Sequence, residues 1–478
     1  MTTKERIKSL LLAVLVCSSI VLTGLIWFDK KLWPDGYDFF SVYSETFIGR
    51  VITKLSGNEN ALNINDTGAL KSIFAPRTTM LSYEDGSRVN YNITQSISEK
   101  VTDELNFAIS KALSDSAQSE VSETEWQDAL KNKSVFADYS VPVSFDSIAV
   151  FLNGAAPDEV ILDSFDRICI NLSNATSSSV PIYFRNSTAK RQVVMHAPIS
   201  ATSFEQILSS ASSTSQFNLS YSFELNLDKR VEGEGMNHQK ILLDSYILLP
   251  LSPVKLNFIE RTTVDMRESK HIHDFLKMFN LNLNTSRKYV QADNTTIYVD
   301  SNSTITLGND GYFEYAPSAN SKGIKIGRDT SVTTAAAGSA RIIDTMLAYA
   351  EVDPNTTLYI SSPLIENPEK KYTFTFDYVY AGNPIASDSH GLEVTVTNGY
   401  ITSLKTNLRS YSLISSGDEH DPLELIDELY ARLSENYENV TVDELYFGYY
   451  DSRHPMTLSW QAKANQSEDV ILATSLSQ

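Results

Sequence analysis

The side chains best suited to chemistry are few and widely separated in this chain. His271 and His273 have the alternate spacing that puts two imidazoles on one face of a strand, as metal ligands sometimes are, and Asp274 follows them. No further histidine or cysteine lies nearby, and the segment predicts the start of a helix, which would splay the two rings. We therefore interpret these residues as exposed polar groups at a helix N-terminus.

The remaining carboxylates also lack partners for catalysis in the sequence. Glu232 and Glu234 flank glycines in a predicted turn, and the carboxylates of residues 421–428 fall on the surface of a predicted helix. No Gly-x-Ser-x-Gly elbow, Walker loop or dinucleotide fingerprint occurs. The sequence predicts that the protein is not an enzyme and has no metal site and no cofactor.

The chain has two cysteines, Cys17 and Cys169. Cys17 lies in a long apolar segment, so no disulfide can form within the rest of the chain. A eukaryotic secreted protein of this size would normally carry several disulfides, and the pattern favours a bacterium with one membrane. Cys169 lies in the apolar run from Arg167 to Ile170 and is predicted to be a buried core thiol.

Residues 9–28 form an uncharged apolar segment that follows the basic residues Lys4, Arg6 and Lys8. A helix of this length spans the roughly 30 Å hydrocarbon core of a bilayer. A secretory signal peptide would need a shorter apolar core and a small-x-small cleavage site, and residues 29–34 contain none. We predict an uncleaved transmembrane helix over residues 9–28. The basic residues before it keep residues 1–8 in the cytoplasm and place the rest of the chain outside the cell membrane.

The composition describes a folded acidic ectodomain. Apolar residues make up 42% of the chain, enough for real cores, and the formal net charge is −20. This charge argues against nucleic acid or anionic lipid as a ligand. Changes in pattern predict an N-terminal ectodomain part over residues 37–252, a middle α+β domain over residues 253–330 and a C-terminal α+β domain over residues 331–478.

Helices and strands alternate irregularly in the N-terminal part. Apolar spacing predicts a helix over residues 98–113, and Ser122 with Glu125 forms a capping box that starts another. A short helix is predicted around residues 204–208. Runs rich in β-branched and aromatic residues predict strands, at residues 144–152, 161–172, 180–184, 217–227 and 241–251.

After residue 253 a pattern of a helix followed by strands occurs twice, which predicts two related units. Helices are predicted at residues 273–279 and 340–350, and another starts at Asp421-Pro422. Strands are predicted at residues 296–299, 304–307, 311–315, 372–380, 392–397, 400–404, 444–450 and 458–462. Asn398-Gly399 supplies a tight hairpin turn. The predicted fold class is α+β, with one transmembrane helix and a multi-domain, mainly antiparallel ectodomain in which helices pack on sheets.

Several segments resemble YycH proteins. They are residues 5–27, IFAPRTTMLSYEDGSR at residues 73–88, FDRICINL at residues 165–172, NDGYFEYAPS at residues 309–318 and YVYAGNPIASDSHGLEVTVTNGYI at residues 378–401. The hairpin in the last segment is also similar to that of the companion protein YycI. The resemblance runs through the whole chain and contains no catalytic signature.

The resemblance implies an extracytoplasmic regulator of a two-component system in Gram-positive bacteria. Members of that family associate with YycI and with the sensor histidine kinase YycG (WalK), which controls cell-wall metabolism, and they do so largely through transmembrane helices. The alternatives are a cell-surface binding module for a peptide, lipid or wall fragment, with no link to a kinase, and a wall-acting enzyme.

Small side chains form a stripe on the predicted transmembrane helix. Ser9, Ala13, Cys17 and Gly24 fall within about 80° of one another on a helical wheel. Lipid offers no hydrophobic drive for helix pairing, so close approach along small residues is a main source of association. We expect this face to bind the partner helix, although small residues are common in any span.

Overall fold

The structure is a computed structural model that describes residues 75–92, 96–152, 160–211, 219–228, 241–279, 281–326, 330–387, 390–436, 440–451, 455–464 and 470–472. The predicted transmembrane helix at residues 9–28 lies outside these ranges, as does the turn that contains Glu232 and Glu234. Within the ranges, no helix is both long and apolar enough to cross a membrane.

The described residues form seven α-helices, one short 3₁₀ helix at Met266–Glu268 and 28 short or medium strands. The helices are α1 (Ser96–Asp115), α2 (Glu123–Lys131), α3 (Phe145–Phe151), α4 (Thr202–Ala211), α5 (Ile272–Met278), α6 (Val332–Tyr349) and α7 (Pro422–Asn436). The strands are β1 (Thr78–Ser82), β2 (Arg88–Asn92), β3 (Ser119–Glu120), β4 (Ser134–Ser144), β5 (Ser164–Asn171), β6 (Val180–Asn186), β7 (Arg191–Ala197), β8 (Leu219–Tyr221), β9 (Ile241–Leu243), β10 (Leu248–Pro250), β11 (Val254–Lys255), β12 (Phe258–Thr263), β13 (Arg287–Val290), β14 (Thr296–Val299), β15 (Ser303–Leu307), β16 (Tyr312–Pro317), β17 (Ile324–Lys325), β18 (Thr356–Ile360), β19 (Lys371–Tyr380), β20 (Asn383–Ala386), β21 (Leu392–Thr397), β22 (Tyr400–Asn407), β23 (Arg409–Ser415), β24 (Glu419–His420), β25 (Val440–Tyr450), β26 (Met456–Thr457), β27 (Ser459–Ala464) and β28 (Val470–Leu472).

The first sheet has seven antiparallel strands in the order β2-β1-β4-β5-β6-β7-β3. Its apolar side chains alternate between two cores, as the period of two in a strand requires. Leu81 and Val135 face a core built with α1, α3 and α4. Met80 and Phe136 face a second core, which α2 covers with Trp126. Both faces of the sheet are therefore buried.

The second sheet has fourteen strands and is mainly antiparallel. Its main path is β13-β14-β15-β16-β22-β21-β19-β20-β25-β27-β28, and β9, β17 and β18 pair beside it. The parallel pairs are β20 with β25 and β9 with β25. On one face, Phe275 of α5 and Phe279 pack on Phe313 of β16, with ring centroids 5.1 and 4.7 Å apart. One continuous apolar core joins this face to the α1 side of the first sheet.

Three small sheets complete the described part of the chain. They are β8 with β10, β11 with β24, and the three-stranded β23-β12-β26. The predicted α+β class with mainly antiparallel sheets is confirmed. The domain boundaries at residues 253 and 331, and the relation between the two C-terminal units, stay predictions.

Three strand predictions were wrong in whole or in part. Residues 144–152 form α3, because the Ser144 hydroxyl accepts a hydrogen bond from the backbone N–H of Ser147 at 3.1 Å and caps a helix. Of the strand predicted at residues 217–227, the described residues 219–227 form only the short β8, since the Glu224 carboxylate accepts a hydrogen bond from the backbone N–H of Tyr221. Residues 241–251 divide into β9 and β10 around a turn.

The helix predicted at residues 340–350 begins eight residues earlier, at Val332. Ser331 caps it by accepting from the backbone N–H of Thr334. Its first half contains small residues without the usual apolar spacing, and these allow close packing. A Cβ at Gly338 would lie only 2.6 Å from the Cβ of Ile326. The first half was not predicted from the sequence, because its buried side chains are small and do not form the spaced pattern of large apolar residues that indicates a helix.

Candidate functional site: polar clusters between the sheets

The predicted partner-binding residues Ser9, Ala13, Cys17 and Gly24 lie outside the described residues. Their role on a transmembrane face stays a prediction. Among the described residues, the candidate site consists of ionisable groups of the two sheets.

The two histidines flank the start of α5, as predicted for a helix N-terminus. His271 Nε2 lies 3.5 Å from Glu351 Oε1, and the His271 ring packs near Tyr349. Across the described ranges, no three side chains of histidine, cysteine, aspartate or glutamate come together in a way that could hold a metal ion.

Cys169 lies in β5 and its side chain is fully buried. Burial raises the pKa of its thiol to about 12, so the reactive thiolate does not form at neutral pH. The prediction of a buried core thiol is confirmed.

The first sheet meets the second through Arg77, which precedes β1. Its guanidinium lies 5.2 Å from the ring centroid of Tyr446 and hydrogen-bonds the Tyr359 hydroxyl. Burial would lower the pKa of Arg77, but Tyr359, Asp138 and Glu444 outweigh this effect and hold that pKa above its usual value. The cation is therefore fixed between strands of both sheets.

Arg167 of β5 extends this polar interface. Its Nε lies 3.5 Å from Asp138 Oδ2, and its Nη1 lies 3.6 Å from Asp244 Oδ1 in the β9–β10 connection. Asp138 acts electrostatically on both Arg77 and Arg167. We call Arg77, Asp138, Arg167, Tyr359 and Tyr446 the Arg77 cluster.

A histidine–aspartate pair lies on the strand next to this cluster. His390 Nδ1 is 2.9 Å from Asp377 Oδ1, and Asp377 of β19 is paired across the ladder with Tyr359 of β18. The His390 side chain is 53% exposed. The His390–Asp377 pair therefore lies between the Arg77 cluster and solvent.

The second cluster joins α2 to the first sheet and to the β9–β10 connection. Arg185 Nη1 of β6 donates to Glu123 Oε2 at 2.7 Å, and its guanidinium lies 4.4 Å from the ring centroid of Tyr246. The Tyr246 hydroxyl donates to the same carboxylate. Burial would raise the pKa of Glu123, but the bonds from Arg185 and Tyr246 lower it below its usual value.

The third cluster surrounds Asp451, whose side chain is fully buried. Its carboxylate accepts hydrogen bonds from Arg261 Nη1 at 3.1 Å and from Arg409 Nη1. The Tyr411 hydroxyl donates to it at 3.0 Å. The cluster ties β12 and β23 to the end of β25.

All three clusters hold separate layers together by ion pairs and hydrogen bonds. Their partners lie far apart in the sequence, for example 190 residues for Arg261 and Asp451. Sequence spacing could not reveal them, because only the fold brings them together. One signal was present: Arg77 and Arg167 both lie in segments that resemble YycH proteins.

Comparisons with known proteins agree with this view of the fold. The sequence matches no protein-family model and no curated protein. The crystal structure of YycH from Bacillus subtilis is similar, with a TM-score of 0.54 and 13% sequence identity. The similarity covers 85% of this chain and 97% of that one. The resemblance predicted from the sequence is thus confirmed at the level of the fold, which is similar to that of YycH.

Proposed function

We propose that this protein is a membrane-anchored extracytoplasmic regulator of a sensor histidine kinase that controls cell-wall metabolism. The observation that carries the proposal is the similarity to YycH over 85% of the chain. The apolar segment at residues 9–28 supports an anchor. The proposed partners are a YycG/WalK-like kinase and a YycI-like single-pass protein, with no nucleic acid involved.

The proposed location is the cell membrane, with a cytoplasmic N-terminus and an extracellular ectodomain. It can be tested with cysteine labelling in intact cells, because Cys169 is buried and gives little background. Asp293→Cys lies in an exposed turn and should react with a membrane-impermeant maleimide. Thr3→Cys, in the predicted cytoplasmic tail, should react only after lysis. Equal labelling of both variants in intact cells would contradict this topology.

The regulatory role is tested by deleting the chain in its native cell. We expect the phosphorylated fraction of the response regulator to change, and the full chain to restore it. A variant with residues 1–28 replaced by a cleavable signal peptide should restore it poorly. An unchanged phosphorylated fraction, together with retention of the full chain on purified cell wall, would favour the surface binding module.

A further inference from the structure

β13 is exposed along its whole length at one end of the fourteen-stranded sheet. All four of its side chains are exposed, and Tyr289 and Val290 are 50% and 62% exposed. In the described part of the chain, its one strand partner is β14. An apolar residue is therefore open to solvent on each face of this edge.

The backbone of the same strand offers hydrogen bonds to solvent. The backbone N–H of Gln291 donates to the Thr295 carbonyl at the hairpin end. Hydrogen-bonded pairs alternate in an antiparallel ladder, so Arg287 and Tyr289 direct their backbone groups toward β14. Lys288 and Val290 direct theirs away from the sheet, where another strand could add.

The edge also carries two cations without carboxylate partners in the described ranges. Lys288 Nζ lies 5.7 Å from the ring centroid of Tyr298, and no ion pair to a carboxylate forms at Arg287 or Lys288. They point to opposite faces, since side chains alternate along a strand. This positive charge contrasts with the formal net charge of −20 of the whole chain.

The two end strands of the first sheet do not share these features. At β2, Arg88 donates to the Leu219 carbonyl of β8 and pairs with Glu224, so neighbouring chain covers that edge. β3 has only two residues. β13 is the edge on which exposed side chains, free backbone groups and unpaired cations coincide.

We propose that β13 binds an extended acidic segment of another protein by strand addition. Two adjacent carboxylates of that segment, which point to opposite faces of its strand, would neutralise Arg287 and Lys288, and two adjacent apolar residues would cover Tyr289 and Val290. A second copy fits less well, because self-pairing centred on Tyr289 puts Lys288 opposite Val290 and leaves both cations without a carboxylate.

The test uses the full chain in non-ionic detergent and two fluorescent peptides, acetyl-(Val-Val-Glu-Glu)₂-amide and acetyl-(Val-Val-Lys-Lys)₂-amide. Fluorescence anisotropy at 0.15 M salt, where distant charges are screened, should show tighter binding of the glutamate peptide. Val290→Pro removes an outward N–H without breaking the β14 ladder and should weaken binding roughly tenfold. Val290→Thr keeps that N–H and should bind within about twofold of the parent.

Charge reversal provides a second, independent readout. The variant Arg287→Glu/Lys288→Glu should prefer the lysine peptide, because the cations decide the sign of the partner. Equal binding of both peptides to the parent, or unchanged binding by Val290→Pro, would overturn the proposal. Sedimentation that shows a dimer lost in Val290→Pro would assign the edge to a second copy and also overturn it.

Discussion

At the scale of single residues, Asp451 offers the sharpest test of how the layers are held together. Its buried carboxylate faces Arg261, Arg409 and Tyr411. Asp451→Asn removes the buried negative charge that Arg261 and Arg409 share, which should lower the free energy of unfolding by about 3 kcal/mol. Urea unfolding followed by circular dichroism measures this loss.

Asp274→Asn is the matched control for that substitution. Its carboxylate is 62% exposed and lies 3.7 Å from Lys277 Nζ on the same helix. An exposed pair of this kind contributes little, so the change should stay within about 0.5 kcal/mol. Similar losses for the two variants would show that the Asp451 cluster does not hold β12, β23 and β25 together.

Glu224 predicts a dependence of stability on pH. Burial would raise its pKa, but the two hydrogen bonds from Arg88, at 2.7 and 2.8 Å, lower that pKa below its usual value. A carboxyl group with a lowered folded pKa stabilises the fold above its unfolded pKa, and this contribution disappears as the pH falls through the folded pKa. At pH 7 the free energy of unfolding of the parent should therefore exceed that of Glu224→Gln by roughly 3 kcal/mol.

The difference between the parent and Glu224→Gln should shrink as the pH is lowered below about 4.5, the usual pKa of a glutamate. Denaturant midpoints of both proteins at a series of pH values provide the measurement. A difference that stays constant down to acidic pH would mean that the Arg88–Glu224 pair is not the source of the stability.

At the scale of elements, the sequence predicted long periodic segments well. β19 alternates as expected, with its five aromatic side chains buried on one face, and Asn398 and Gly399 take the positive φ angles of the predicted turn. α1 and the capping box of α2 are also confirmed. These elements were predictable because their period and caps are local properties of the sequence.

At α3 the prediction from local composition was wrong. Its apolar and β-branched composition predicted a strand, but Phe145, Ile148 and Ala149 also fit one face of a helix, and that face is buried. Ser144 decides between the two by capping the first turn. Composition alone does not show that the capping hydrogen bond of Ser144 outweighs the strand propensity of the segment.

Ser144→Ala should destabilise α3 and the core that it covers. The substitution removes the acceptor for the Ser147 backbone N–H and should cost about 1 kcal/mol. Ser144→Gly should cost only a few tenths of a kcal/mol, because glycine is tolerated at this cap. Thermal unfolding of both variants tests the order, and a larger loss for glycine than for alanine would show that the cap does not stabilise α3.

At the scale of the whole molecule, an apolar core and the three polar clusters link the sheets and helices of the described residues. Arg77, directly before β1, lies against Tyr446 of the second sheet. The proposed anchor at residues 9–28 precedes this contact in the chain, and its role in regulation can be tested separately.

The last prediction concerns this anchor and rests on the proposed association with a kinase. The stripe of Ser9, Ala13, Cys17 and Gly24 should allow close packing of helices. Ala13→Leu/Gly24→Leu should sharply reduce co-purification with the kinase and shift the phosphorylated fraction of its response regulator. Ser18→Leu, on the opposite face, should do much less. If the two variants behave alike, or an unrelated span replaces residues 9–28 without effect, the ectodomain carries the recognition and the helix serves only as a tether.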